Sequence, residues 1–328
     1  MIISKTPYRI SFFGGGSDYP SWYTKNGGAV LSTTIDKYIY ISCRDLPPFF
    51  EHKYRIVWSQ METVKDIKQI KHKAVKEMLK YFKIKNGLEI HYDGDLPARS
   101  GMGSSSVFVV GLMNLLNNFL GKKIDKKKLA QRSIHFEQKI LKEAVGSQDQ
   151  IAATFGGFNK IIFKTNNEFN VRRIIIPKKI LKELNENLFL VYTGLTRNAQ
   201  DIASEYVHKL QKSKRSNILE ISNFVKEGEK ILKKGDLSEF GKLLHESWIE
   251  KKKLSPSISN SIIDNIYDVA IKKGALGGKL LGAGGGGFLL FYAPQSRQKD
   301  IIKAFRKLIT IPFKFTNKGS EIMFNKIT

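Results

Sequence analysis

The chain has 328 residues, 41% of them hydrophobic, enough for a large core and more than one domain usually holds, so two domains sharing a cleft are expected. Its single cysteine, Cys43, excludes an internal disulfide and fits a reducing compartment, and no apolar run approaches the ~18 residues that cross a bilayer, so a cytoplasmic protein without membrane contact is expected. The net charge of +25 arises from 55 basic against 30 acidic residues spread along the whole chain, with no zinc-finger pattern, RNA-binding aromatic motif or arginine-rich tract, so nucleic acid is not the expected partner.

Residues 2–13 alternate as a strand ending in a glycine turn, and 29–43, rich in Ile, Tyr and Thr, read as a second strand region. A short strand is expected at 53–59, a helix at 71–82 and a strand at 87–92. The segment Pro97 to Ser106, PARSGMGSSS, then sets two glycines and a serine triplet ahead of the apolar run 107–120. Glycine lets several backbone N–H groups turn toward one point, and the helix that follows adds the positive end of its dipole there. A phosphate chain is the expected guest, although no lysine follows the glycines as a Walker-type loop requires.

An amphipathic helix is expected at 126–142, then a turn and short helix at 146–155 closed by Gly156 and Gly157. Strand-like runs follow at 158–163, 171–176 and 188–192, with the charged segment 178–187 read as a domain joint. From 199 onward the pattern turns helical, at 199–212, 217–233, 237–251 and 257–273. Two short strands flank a glycine tract within 279–293, and a helix at 295–308 and strands at 311–315 and 321–324 close the chain. Strands and helices mix in both halves, which makes the fold class α+β.

The tract Gly282 to Gly287 satisfies G-x-G-x-x-G, but FLLFYAP after it reads as a strand, whereas a dinucleotide fingerprint must open a helix. Close backbone packing in a hairpin is the alternative use of so many glycines. Glu137 has Ser133, Ile134, Ile140 and Leu141 one turn away and no lysine among them, which suits an inward-pointing carboxylate. Asp149 stands in the first turn of a helix that Ser147 can cap, where the dipole favours an anion.

Three ordered stretches, PYRISFFGGGSDY (7–19), the 97–106 loop and KLLGAGGGGF (279–288), resemble the three motifs of the GHMP small-molecule kinases across nearly the whole chain. Within that family FFGGGSDYP, VGSQDQIAATFGGFN and LGAGGGGFLLF are most similar to the D-glycero-D-manno-heptose 7-phosphate kinases. The resemblance implies a ribosomal-protein-S5-like domain over 1–185 and a ferredoxin-like domain over 186–328. It implies ATP and Mg2+ as cofactors and a phosphorylated sugar as substrate; a homodimer is left open. In the nucleotide cradle it places Pro97, Gly101, Met102, Gly103, Ser104, Ser105 and Ser106, with Ser105 and Glu137 as magnesium ligands. Asp149 becomes the base and Arg9 its orienting cation. Asp18 would take sugar hydroxyls, and Gly15, Gly16 and Ser17 would bring backbone donors to the substrate, with Gly284 and Gly285 closing the site. Arg197 and Lys279 are candidates for the substrate's phosphate. Galactokinases carry G-E-H-[ST]-D where this chain has Gly14-Gly15-Gly16-Ser17-Asp18, which argues against galactose. A kinase for fucose or a hexose, and a silent sugar- and ATP-binding regulator, are the alternatives.

Overall fold

Strand β1 (Ile2–Phe13) pairs antiparallel with the long strand β2 (Gly28–Asp45), Ile2 opposite Cys43 and Phe13 opposite Leu31. The structure, a computed structural model, describes residues 1–196 and 199–325. Between the two strands lies α1 (Pro20–Asn26), a short helix that Pro20 opens and that no sequence periodicity announces. The hairpin β3 (Tyr54–Val57) and β4 (Met61–Val64) joins the sheet through β5 (Leu88–Gly94), with α2 (Lys73–Tyr81) in the connection. Helix α3 (Ser104–Phe119) follows the 97–103 loop. It is apolar on all sides and accordingly buried nearly throughout, packed against β1 and β2.

Helix α4 (Lys126–His135) ends earlier than the single helix expected over 126–142. The chain continues as a π turn, Phe136–Ile140, in which the Leu141 N–H reaches back to the Phe136 carbonyl. Helix α5 (Gln148–Phe155) then leads to β6 (Asn159–Phe163) and β7 (Phe169–Arg173). The segment read as a joint is a helix, α6 (Lys178–Glu186), because Ile180, Leu181 and Leu184 form an apolar stripe whose Leu184 reaches the core.

The second half builds a four-stranded antiparallel sheet from β8 (Leu188–Tyr192), β9 (Gly277–Leu280), β10 (Phe288–Tyr292) and β11 (Ile309–Ile311), in the order β11-β8-β10-β9. Helices α7 (Ala199–Val207), α8 (Arg215–Lys234), α9 (Leu237–Lys252) and α10 (Ser261–Lys272) fill the connection from β8 to β9, and α11 (Gln295–Ala304) precedes β11. The chain then returns to the first sheet. There β12 (Phe315–Thr316) pairs with β2 and β13 (Glu321–Asn325) with β1, completing nine strands. The class is α+β with two sheets, as expected. The halves share a core: Phe12 at the end of β1 meets Phe240 of α9 edge-on, with ring centroids 5.3 Å apart. This contact holds the end of β1 against the second half, and the cleft opens beside it.

Candidate active site

A cleft of about 630 Å³ runs between the two halves. Its floor is the start of α3. Gly103 caps that helix in the left-handed conformation, φ 79°, and no side chain takes the first-turn N–H groups. Ser104, Ser105 and Ser106 therefore present their amides and hydroxyls at the positive end of a sixteen-residue helix. This is an anion site by construction.

The second glycine tract packs against the same loop. A Cβ at Gly282 would lie 2.6 Å from the Gly101 Cα, and one at Gly287 would lie 2.2 Å from the Ser100 carbonyl oxygen. That carbonyl accepts the Phe288 N–H, so backbone meets backbone where any side chain would stand between. The close-packing use of the tract holds for these positions, while Gly282, Ala283, Gly284 and Gly286 also line the cleft.

Arg9, buried on β1, holds Asp149 in a fork: Nε to Oδ1 and Nη2 to Oδ2, both 2.7 Å. Its third nitrogen, Nη1, donates to the Gly101 carbonyl at 2.9 Å, tying the pair to the phosphate loop. The Arg9 side chain is 4% exposed and that of Asp149 21%, so the carboxylate is the member open to the cleft.

Glu137 lies on the π turn, fully buried, its Oε1 accepting from the Ser105 hydroxyl at 3.2 Å and its Oε2 from the Gln150 amide. A π turn inside a helical run recurs at functional sites. Burial, with the charges of Glu143 and Asp149 nearby, pushes the Glu137 carboxyl up to about 8. A buried carboxylate whose side-chain partners are serine hydroxyls and an amide lacks a cation. With Ser105 it offers hard oxygen ligands that suit magnesium. No cluster of three or more His, Cys, Asp or Glu side chains among the described residues would hold a metal alone, so such an ion would share its shell with phosphate oxygens and water.

Asp18 is buried beneath the motif-one turn, accepting from the Gly16 N–H at 2.9 Å and the Gln148 N–H at 3.3 Å. Burial, and then the charge of Asp149, raise it to about 6. Gly15, Gly16 and Asp18 line the cleft, but the Gly16 N–H is spent on Asp18 and is not the donor expected of it. Ser17 does not offer a donor as expected: its N–H goes to the Gly14 carbonyl and its hydroxyl to the carbonyls of Gly14 and Ala29. It shapes the turn and is fully buried. Gly285 is also corrected, because its N–H is taken by the Ile258 carbonyl outside the cleft lining, whereas Gly284 faces in. In the cradle the Met102 side chain belongs to the core, and Pro97 is exposed outside the lining. Arg197 lies outside the described residues.

Two features went beyond sequence reading, which offers Trp58 and Ser59 as a plausible adenine region without a motif to name them. Trp58, His72, Phe108 and Tyr92 form a chain of ring contacts, each pair with centroids 5.0 Å apart, along one end of the cleft. They come from four separated segments with no shared motif. Burial lowers the His72 imidazole, so the ring is an apolar wall more than a cation. The other is Lys251 on α9, whose Nζ donates to the carbonyls of Leu280 at 2.8 Å and Gly282 at 2.6 Å. Lys279, already a candidate, donates to the Phe12 carbonyl at 2.6 Å.

Comparison with known proteins finds relatives over nearly the whole chain. The profile of the GHMP kinases N terminal domain matches residues 69–157, and that of the GHMP kinases C terminal matches 229–309. The D-glycero-alpha-D-manno-heptose 7-phosphate kinase of Campylobacter jejuni is 31% identical, with 97% of both chains covered. The L-fucokinase/L-fucose-1-P guanylyltransferase of Bacteroides fragilis is 28% identical over 94% of this chain, which spans 36% of that protein. Among solved structures, a D-glycero-D-manno-heptose 1-phosphate kinase from Bacteroides thetaiotaomicron superposes with a TM-score of 0.82 at 25% identity, all of both chains being covered.

Proposed function

This chain belongs to the GHMP kinases, as an ATP-using sugar kinase, and on that premise we propose that it phosphorylates the anomeric C1 hydroxyl of D-glycero-D-manno-heptose 7-phosphate to give the 1,7-bisphosphate. The observation that carries the reading is the forked Arg9–Asp149 pair, its carboxylate open to the cleft beside the first turn of α3. Similarity to the Campylobacter jejuni heptose 7-phosphate kinase supports the acceptor.

In this mechanism the first-turn amides of Ser104 to Ser106 and the backbone from Gly101 to Gly103 hold the ATP phosphates, and the Trp58, His72, Tyr92 and Phe108 rings wall the base. Asp18 and the Gly15–Gly16 turn receive sugar hydroxyls. Asp149 takes the proton of the acceptor hydroxyl as that oxygen bonds the γ-phosphorus, the bond to the β,γ-bridging oxygen breaks, and ADP leaves. Arg9 fixes the carboxylate in line and offsets negative charge as it builds. Ser105 and Glu137 would hold a magnesium ion, which would neutralise phosphate charge.

The test is ADP release with Mg·ATP across heptose 7-phosphate, heptose 1-phosphate, free heptose, mannose, fucose, galactose and mevalonate. Turnover confined to heptose 7-phosphate is the expected result. Preference for a neutral sugar replaces the acceptor and keeps the kinase, and silence across the panel with ATP still bound favours a regulator.

A further inference from the structure

Among the cations lining the cleft, Lys71, Lys73 and Arg99 are exposed, whereas Lys279 is buried and Lys251 half-buried. Arg9 is neutralised by Asp149 at 2.7 Å, but neither Lys251 nor Lys279 meets a carboxylate among the described residues. The ammonium groups touch backbone carbonyls, with the Trp248 ring 5.8 Å from that of Lys251. Both lysines line the cleft, and Lys279 is 5% exposed. A chain with 55 basic residues has no shortage of solvated places for lysine, so one buried and one half-buried beside an arginine call for a negative guest. Burial and then the Arg9 charge lower Lys279 to about 7, and burial with the charges of Lys279 and Arg9 lowers Lys251 well below the ordinary lysine range, the expected sign when that guest is absent.

Their anchor points differ: the Gly282 carbonyl that holds Lys251 belongs to the tract packed on Gly101, whereas Lys279 is anchored toward the motif-one turn. Lys279 is tied to the carbonyl of Phe12, two residues before the glycine turn whose Gly15 and Gly16 face the cleft. Lys251 comes from α9, where Ser247 and Lys251 turn one helical face to the cleft. The nucleotide phosphates already have the α3 amides and the Ser105–Glu137 pair on the N-terminal side.

We propose that Lys251 and Lys279 form a subsite in the cleft for the phosphate monoester carried by the acceptor sugar. The inference rests on the sugar-kinase reading and names the residues that select a phosphorylated acceptor. A dianion between two ammonium groups gains charge-assisted hydrogen bonds, and a neutral sugar leaves both groups without a counter-charge.

The experiment measures binding by calorimetry with Mg·ADP present, for two pairs: heptose 7-phosphate against heptose, and mannose 6-phosphate against mannose. Wild type, Lys251→Met and Lys251→Arg are compared, with steady-state kcat/KM and the KM for ATP alongside. Wild type should prefer the phosphorylated member, Lys251→Met should lose about 10- to 100-fold of that preference, and Lys251→Arg should recover part of it. A Lys279→Arg variant, which keeps the buried charge, should retain the preference. If Lys251→Met weakens both members equally, or raises the KM for ATP instead, the subsite is overturned while the heptose 7-phosphate reading can stand. If wild type turns over only a neutral sugar yet binds sugar phosphates through Lys251, the acceptor reading fails and the subsite stands. No preference in wild type overturns both.

Discussion

The loop 97–106 and the tract 282–287 are both glycine-rich and both line one cleft, yet they use glycine differently. In the first, Gly103 turns the chain so that a helix opens with free amides aimed at a ligand. In the second, Gly282 and Gly287 leave out the side chains that would collide with Gly101 and Ser100. One set of glycines makes a binding surface; the other lets that surface be braced from behind. A substitution near the first should damage turnover and leave the fold, and one in the second should damage the fold first.

The largest expected effect tests the functional side. Asp149→Asn should lower kcat about 10²- to 10⁴-fold, with ADP affinity within about twofold and an unchanged melting temperature. Near-normal turnover would remove Asp149 as the base. On the bracing side, Gly287→Ala should cost about 2–4 kcal/mol in denaturant unfolding, because the residue sits at φ +106° and its Cβ would meet the Ser100 carbonyl. A stable Gly287→Ala protein with impaired turnover would break the contrast. Ser105→Ala should reduce kcat about 10- to 100-fold, steepen the magnesium requirement and leave the unfolding midpoint in place. An unaltered magnesium titration would argue against Ser105 as a ligand.

The smallest effect concerns the motif-one turn. Because burial raises Asp18 to about 6 in the fold, its protonated form is the one the fold favours. The stability this contributes is fully present below the ordinary carboxylate range and is lost as pH rises through about 6. Asp18→Asn should flatten thermal stability between about pH 4 and 6 in ligand-free protein, and an unchanged slope would show that Asp18 is not buried as described.

Much of the site was legible in the chain because its parts are local. A glycine-serine loop before an apolar run encodes a phosphate-binding helix start by itself, and a first-turn Asp149 or an apolar-flanked Glu137 can be recognised from neighbours one turn away. Glu137 came out inward as those neighbours suggested, although the π turn that carries it was invisible, since one extra residue in a helical turn leaves no periodic mark. Ser17 and Gly285 misled for a related reason. Their types suit a donor, but which N–H is spent on a carbonyl depends on Gly14 in one case and on Ile258 in the other.

The α+β class, the phosphate-type guest and the order of its binding stretches were therefore determined by the sequence alone, through backbone freedom and spacing that act within a few residues. The forked geometry of the Arg9–Asp149 pair, the ring wall built from Trp58, His72, Tyr92 and Phe108, and the place of Lys251 in the cleft were decided only by tertiary structure. Arg9 and Asp149 are separated by 140 positions, and Lys251 is one basic residue among 55 until α9 brings it to Leu280 and Gly282. Burial and lost solvation turn such a residue from a surface charge into one that needs a counter-ion, and burial is a property of the packed chain.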